Sequence, residues 1–185
     1  MVRLAIKGVG IFLFTLIISF SSYYFLKLYQ AKKLYSLLGP TPSSIIEKNF
    51  TFRDLNKNGR LDTYEDYREP IDRRVEDLLN QMTIKEKIGQ MFITMIGMGR
   101  RGAHLDVPPI IVDIFDDPIL EFGLYFSLET NAEMIVNRKM SHFNILQAYN
   151  PEAIAKFNNN LQRKAERTRL GIPVTIATDP RHGAR

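Results

Sequence analysis

The segment DLNKNGRLDTYE, residues 54–65, sets oxygen-bearing groups at alternate positions: Asp54, Asn56 and Asn58, then Gly59, Arg60, Asp62 and Glu65. This is the twelve-position spacing of an EF-hand-like calcium loop. A hard cation takes roughly six to eight oxygens, and a chain wrapped around it turns every second residue inward. Gly at the sixth position permits the sharp bend, Arg60 offers a backbone carbonyl, and the final Glu closes the shell with both oxygens. The competing reading is an Asn/Asp/Gly-rich turn held by its own local hydrogen bonds. The flanks depart from a paired EF-hand, since residues 49–52 read as a strand, Pro70 cuts any exit helix short and no second loop follows. A bound Ca2+ would therefore be structural, fixing the chain's entry into the domain; no cofactor is expected for catalysis.

At the other end, residues 172–178 form a β-branched run bounded by Gly171 and Asp179, the pattern of a buried parallel strand. A carboxylate at the C-terminal tip of such a strand, followed by Pro180, Arg181, His182 and Gly183 in a tight loop, lies where α/β barrels collect ligand-binding groups. The bland alternatives are that Asp179 caps the Asp-Pro turn and that His182 braces the loop. The three histidines show no metal-ligand spacing, and the chain has no cysteine, which removes disulfides, thiolate zinc sites and a cysteine nucleophile.

The elements that must position these groups follow from periodicity. Apolar residues at helical spacing predict a surface helix over 71–81, and Thr83 with Glu86 forms a capping-box pattern ahead of a helix over 84–89. A strand is expected at 91–96. Gly97, Gly99, Arg100, Arg101 and Gly102 read as a solvated turn, with no Walker or Rossmann glycine spacing. Residues 110–115 and 119–123 suit a short helix or irregular pair, and 124–128 a strand. Asn150-Pro151-Glu152 opens a helix to about residue 168, with Pro at a favoured first position. Strand, helix, strand of this kind implies an α/β architecture.

The chain of 185 residues carries a formal charge of +5, but the excess sits in residues 1–48, where six cations face the single acid Glu47. From Asn49 onward there are 19 basic and 19 acidic residues. The basic pI is thus no nucleic-acid signal. Residues 8–26 are uncharged and apolar on all faces, close to the ~20 residues that cross a bilayer and longer than the roughly 7–15 of a cleaved signal's apolar region. A signal anchor is preferred over a signal peptide cleaved near Ser19–Ser21, with Tyr23, Tyr24 and Phe25 as an interfacial belt. Gly39, Pro40 and Pro42 then read as a stiff spacer, after which the folded part should begin.

Three separated motifs, RVEDLLNQMTIKEKIGQM (74–91), NRKMSHFN (137–144) and FNNNLQRKAERTRLGIPVTIATDPRHG (157–183), resemble the opening part of the catalytic barrel of glycoside hydrolase family 3, the β-glucosidase type. The loop at 54–65 is similar to one that some bacterial members carry. The resemblance implies an incomplete (β/α)8 TIM-type barrel preceded by the anchor helix and the EF-hand-like loop. The divisions it implies are 1–33 signal anchor or signal peptide, 34–48 linker, 49–70 calcium-type loop and lead-in, and 71–185 the N-terminal portion of the barrel.

The activity implied is removal of terminal β-linked glucose with retention of configuration, in which an Asp nucleophile and a Glu acid/base stand about 5–5.5 Å apart. Asp179 matches the family's aspartate that accepts hydrogen bonds from sugar hydroxyls at the −1 subsite, a binder and not the nucleophile; His182 is a second candidate. The nucleophile and the acid/base have no counterpart before Arg185, and a barrel takes ~250 residues. The chain is therefore expected to be truncated, split or excerpted, and inactive alone, with no catalytic residue of its own. Expected partners are a β-linked glucoside or oligosaccharide, the membrane through residues 8–26, and a complementing downstream chain, but no nucleic acid. The expected location is membrane-anchored with an extracytoplasmic domain, or secreted if the signal is cleaved. The rival reading, from a different class, is a noncatalytic calcium- or carbohydrate-binding module.

Overall fold

A computed structural model of the chain describes residues 2–99, 101–106, 129–145 and 150–178. The segments expected at 110–115, 119–123 and 124–128, together with Arg100, Asp179, Arg181 and His182, lie outside the described residues.

Helix α1 runs unbroken from Val2 to Tyr35. Among the described residues it is the one helix long and apolar enough to cross a membrane. Its two halves behave differently. From Val9 to Ile18 the large apolar side chains stand exposed on every side, whereas Tyr24, Leu28, Ala31, Tyr35 and, just beyond the end, Leu38 follow a 4-3-4-3 stripe that is partly or wholly buried. That spacing keeps one helix face against a partner. Lys32 and Lys33 occupy the last turn, where the carbonyl end of the dipole favours cations.

The chain does not pass into a free spacer after α1. Leu38 is 8% exposed and belongs to the main core. Gly39 N–H donates to the Arg167 carbonyl and Arg167 Nε donates back to the Gly39 carbonyl, both at 2.8 Å. Residues 34–48, expected to be a linker, thus contain the end of the helix, a core side chain and the first strand.

Strands β1 (Ser44–Glu47) and β2 (Phe50–Arg53) form an antiparallel hairpin in which Glu47 pairs with Phe50. Lys48 and Asn49 make the two-residue turn with φ of 50° and 67°, the left-handed sense that matches strand twist. Phe52 is 2% exposed, and the Arg68 guanidinium lies 4.7 Å over its ring.

Helix α2 (Ile71–Gln81) has the predicted bounds, yet none of its residues is buried; Ile71 is 73% exposed. Helix α3 (Ile84–Gln90) begins with the predicted capping box: Glu86 N–H donates to Thr83 Oγ1 at 3.2 Å and Thr83 N–H to Glu86 Oε2 at 2.9 Å. Gly89 lets α3 close on residues 138–139, where an added Cβ would meet the Lys139 carbonyl oxygen at 2.4 Å.

Strands β3 (Ile93–Ile96), β4 (His142–Ile145) and β5 (Thr175–Thr178) form a parallel sheet in that order, with Ile96, Ile145 and Thr178 in register at its C-terminal end. Parallel neighbours need crossovers, and α4 (Pro151–Ala165) supplies the one between β4 and β5. Asn150 caps α4 by accepting the Ala153 N–H at 2.8 Å, and Pro151 takes the first position. A π-helical segment, Glu133–Asn137, precedes β4 and buries Met134, Ile135 and Val136.

The sheet is two-faced. Ile96, Phe143 and Ile145 pack with Phe157, Leu161 and Ala165 of α4 and with the π-helical segment, forming the core. On the opposite face Ile93 and Met95 are 73% and 46% exposed. The described residues thus show a mixed helix and sheet fold, α/β as expected, with three adjacent parallel strands.

Candidate functional site

The C-terminal ends of β3, β4 and β5 stand side by side, and in α/β folds that edge is where loops carry ligand-binding side chains. Thr178 ends β5, and Asp179 is the next residue in the chain. Asp179 and His182 themselves fall outside the described residues. Beyond β3 the chain turns through Gly97, where an added Cβ would come within 2.4 Å of the Leu105 side chain. Asn131, fully buried, donates to the Gly97 carbonyl at 3.0 Å and holds this turn.

The calcium-type loop is a closed network. Asp54 accepts from Asn58 N–H at 3.0 Å and from Gly59 N–H at 3.1 Å; Gly59 has φ of 76°, the conformation the sixth position demands. The Asp62 carboxylate accepts from the side-chain amides of Asn56 and Asn58. Glu65 Oε1 accepts from Leu55 N–H at 2.6 Å and Asn56 N–H at 3.1 Å, and its Oε2 from Asp62 N–H at 3.1 Å. Arg60 contributes its N–H to Asn58 Oδ1 at 2.8 Å.

The donor set, three carboxylates and two amide oxygens, has the hard-oxygen chemistry that Ca2+ takes. Half-turns of the two amide groups would bring their oxygens, instead of their nitrogens, toward Asp62. No group of three or more His, Cys, Asp or Glu side chains able to hold a metal ion occurs among the described residues, and the carboxylates already have N–H partners. The loop enters from β2 and is followed by turns, so a complete EF-hand is not formed.

Sequence reasoning overlooked Lys57, the fourth residue of this loop. Its ammonium donates to three backbone carbonyls, of Leu55, of Glu166 at 2.6 Å and of Thr168 at 2.5 Å. Burial lowers its pKa, while Asp54, Glu65 and Glu166 pull it back up. The ammonium caps the carbonyls released at the end of α4, so the loop is fastened to the core of the α/β unit. An Asn-Lys-Asn run gives no signal of such a role.

A second overlooked cluster lies between α1 and the sheet. Tyr35 donates to Asp106 Oδ2 at 2.5 Å, and Asp106 Oδ1 accepts the Ala132 N–H at 2.7 Å. Burial pushes the Asp106 carboxyl up, against the pull of these bonds and of Lys164. The Lys164 ammonium sits 3.6 Å over the Tyr35 ring, its pKa pushed down to about 8 by burial. His104 is held neutral, at about 3, by burial and then by the charge of Lys164; its Nε2 is buried with no partner. The single hydroxyl and scattered charges gave no pattern that periodicity could read.

A third link joins the α3 cap to the segment before β5. Arg169 grips Glu86 with Nε to Oε1 at 3.0 Å and Nη2 to Oε2 at 2.5 Å. Burial alone would raise the Glu86 pKa, but Arg169 and Thr83 bring it down to about 2.

A parallel β-α-β unit, with an aspartate next in the chain after its last strand, is the arrangement of an α/β protein. Over 138 residues, 74% of this chain, it is 38% identical to the periplasmic β-glucosidase/β-xylosidase of Dickeya chrysanthemi, of which the match covers 18%. It is 35% identical over 130 residues to the β-glucosidase C of Emericella nidulans, 70% of this chain and 18% of that protein. No family model matches. The resemblance carried by the three motifs is borne out: the chain is a homologue of β-glucosidases, consistent with the N-terminal part of a glycoside hydrolase family 3 protein. It spans under a fifth of the length of these relatives.

Proposed function

We propose that these residues form the opening β/α units of a TIM-type barrel in a β-glucosidase-type hydrolase, one that removes terminal β-linked glucose with retention. The observation that carries the reading is the 38% identity to the Dickeya chrysanthemi enzyme over 138 residues, joined to a sheet edge from which Asp179 follows directly. The uncovered face of β3 supports it: Ile93 and Met95 are apolar positions of the kind a barrel interior fills.

In this reading Asp179 orients the sugar. Its ionised carboxylate accepts hydrogen bonds from two hydroxyls of the terminal glucose, fixing the ring for attack at its anomeric carbon. Charge-assisted bonds of this kind are roughly twice as strong as neutral ones. The nucleophile and the acid/base, which must stand about 5–5.5 Å apart, come from barrel segments with no counterpart among these residues, so the 185 residues alone turn over no glucoside. A complementing chain or segment supplies them.

The test is a chimera in which this chain's homologous residues replace the matched 138 residues of the Dickeya chrysanthemi protein. It should cleave an aryl β-glucoside, and Asp179→Ala should abolish cleavage. A folded chimera with no turnover would overturn the reading.

Two further parts of the proposal concern location and metal. An apolar helix with no proline, whose C-terminal half is built into the domain, favours an uncleaved signal anchor with the domain outside the cytoplasm. For the loop at 54–65 the oxygen donors of Asp54, Asn56, Asn58, Asp62 and Glu65 and the Arg60 carbonyl would hold a structural Ca2+. Bound there, the ion would supply charge neutralisation and rigidity and take no part in the reaction.

A further inference from the structure

We propose that the cleft between α1 and the π-helical segment binds the headgroup of a phospholipid that carries both a phosphate and a primary ammonium. The proposal rests on the anchoring of α1 in a bilayer. At 1.5 Å per residue, a hydrocarbon core of about 30 Å that begins at Gly8 ends near Lys27. This is the level at which α1 changes from bare on all sides to covered on one, and it is where the cleft opens.

The cleft has a volume of about 560 Å3, within the range of small-molecule sites. One wall is α1, with Lys27 and Lys33; the other carries Glu129 and Glu133, and Ala31 and Leu34 add apolar surface. Lys27 lies 5.6 Å over the Tyr23 ring, an aromatic and cationic pair typical of the headgroup layer. Arg138 fixes both carboxylates, at 2.6 Å from Glu129 and 3.8 Å from Glu133, and Asn137 donates to Glu133 at 2.7 Å. Each carboxylate oxygen accepts more than one donor, so the two acids remain able to take an ammonium.

Opposite charges on facing walls, at the height of the headgroups, match a zwitterion better than an anion. The lysines meet the phosphate, and the carboxylates meet the ammonium. A choline headgroup has the same net charge but no N–H to donate. Phosphatidylglycerol has the phosphate but no cation for Glu129 and Glu133.

The full chain is reconstituted in nanodiscs of equal parts phosphatidylethanolamine, phosphatidylcholine and phosphatidylglycerol, and the lipids it retains are counted by native mass spectrometry. Phosphatidylethanolamine should exceed each of the others by about fivefold or more, the size of one net charge-assisted contact. Glu133→Gln should bring the three lipids to parity, and Lys27→Gln should lower the retention of all three alike, each with unchanged helical circular dichroism. Equal retention by the wild type, or a preference for phosphatidylglycerol, overturns the headgroup assignment. An alkaline carbonate wash of the source membranes separates the two readings: release of the chain overturns the anchoring itself, whereas a retained chain without the preference overturns only the cleft.

Discussion

Tyr35 and Asp106 are 71 residues apart in sequence and joined by a hydrogen bond of 2.5 Å. The last turn of the apolar helix is thereby fastened to a buried carboxylate in the segment that follows β3. Tyr35→Phe keeps the ring beneath Lys164 but takes the hydroxyl donor from Asp106 Oδ2, leaving the carboxylate to the backbone N–H groups of Asn131 and Ala132. The expected loss is about 1–3 kcal/mol, the cost of stranding a buried acceptor. Denaturant unfolding of the detergent-solubilised chain checks it; an unchanged midpoint would show that the bond contributes nothing.

The Glu86–Arg169 pair makes stability acid-sensitive. The folded-state pKa of Glu86 is depressed from its ordinary 4.5 to about 2, so the unfolded chain takes up the proton first. The contribution is fully present above about pH 4.5 and disappears as pH falls toward about 2. Unfolding midpoints compared at pH 6 and pH 3 should fall for the wild type. They should fall less for Glu86→Gln, which is already weaker at pH 6.

Lys57→Met should uncap three carbonyls at once and cost about 2–3 kcal/mol. Hydrogen exchange would locate the damage at the end of α4 and in residues 54–65 together. Exchange that quickens only in the loop would mean that the link to Glu166 and Thr168 is not the one that matters.

Calcium titrated into the full chain should release or absorb heat with one-site stoichiometry, and Asp62→Ala should remove the signal. Heats no larger than those of buffer for the wild type would dismiss the metal and leave a self-bonded turn.

The parts of the fold that could be read in advance are those with a local cause. Helix α2 shows its period in Ile71, Val75, Leu78 and Leu79; the α3 cap is a two-residue signature in Thr83 and Glu86; and Pro151 marks the start of α4. Strand β4 was passed over as structure because His142 and Asn144 alternate with Phe143 and Ile145 over only four residues, too short a run to separate from its surroundings. The hairpin turn at Lys48 and Asn49 was hidden for another reason: neither residue is the glycine that usually marks positive φ, and tertiary contacts of Phe52 set the register. In the candidate site, Asp54 to Glu65 and Asp179 declared themselves by residue type. Lys57, Asp106 and Arg169 did not, because their roles depend on partners 71 to 111 residues away in the chain, which only folding brings near.

The seam along Tyr24, Leu28, Ala31, Tyr35 and Leu38 has a mechanical consequence. With α1 in a bilayer, the domain is mounted on a rod with no hinge and cannot swing as it would on a flexible tether. It diffuses laterally and spins about the membrane normal, but its height and tilt are fixed. Whatever the domain binds would then be met at one fixed level above the lipid, so surface crowding as well as affinity would decide what reaches it.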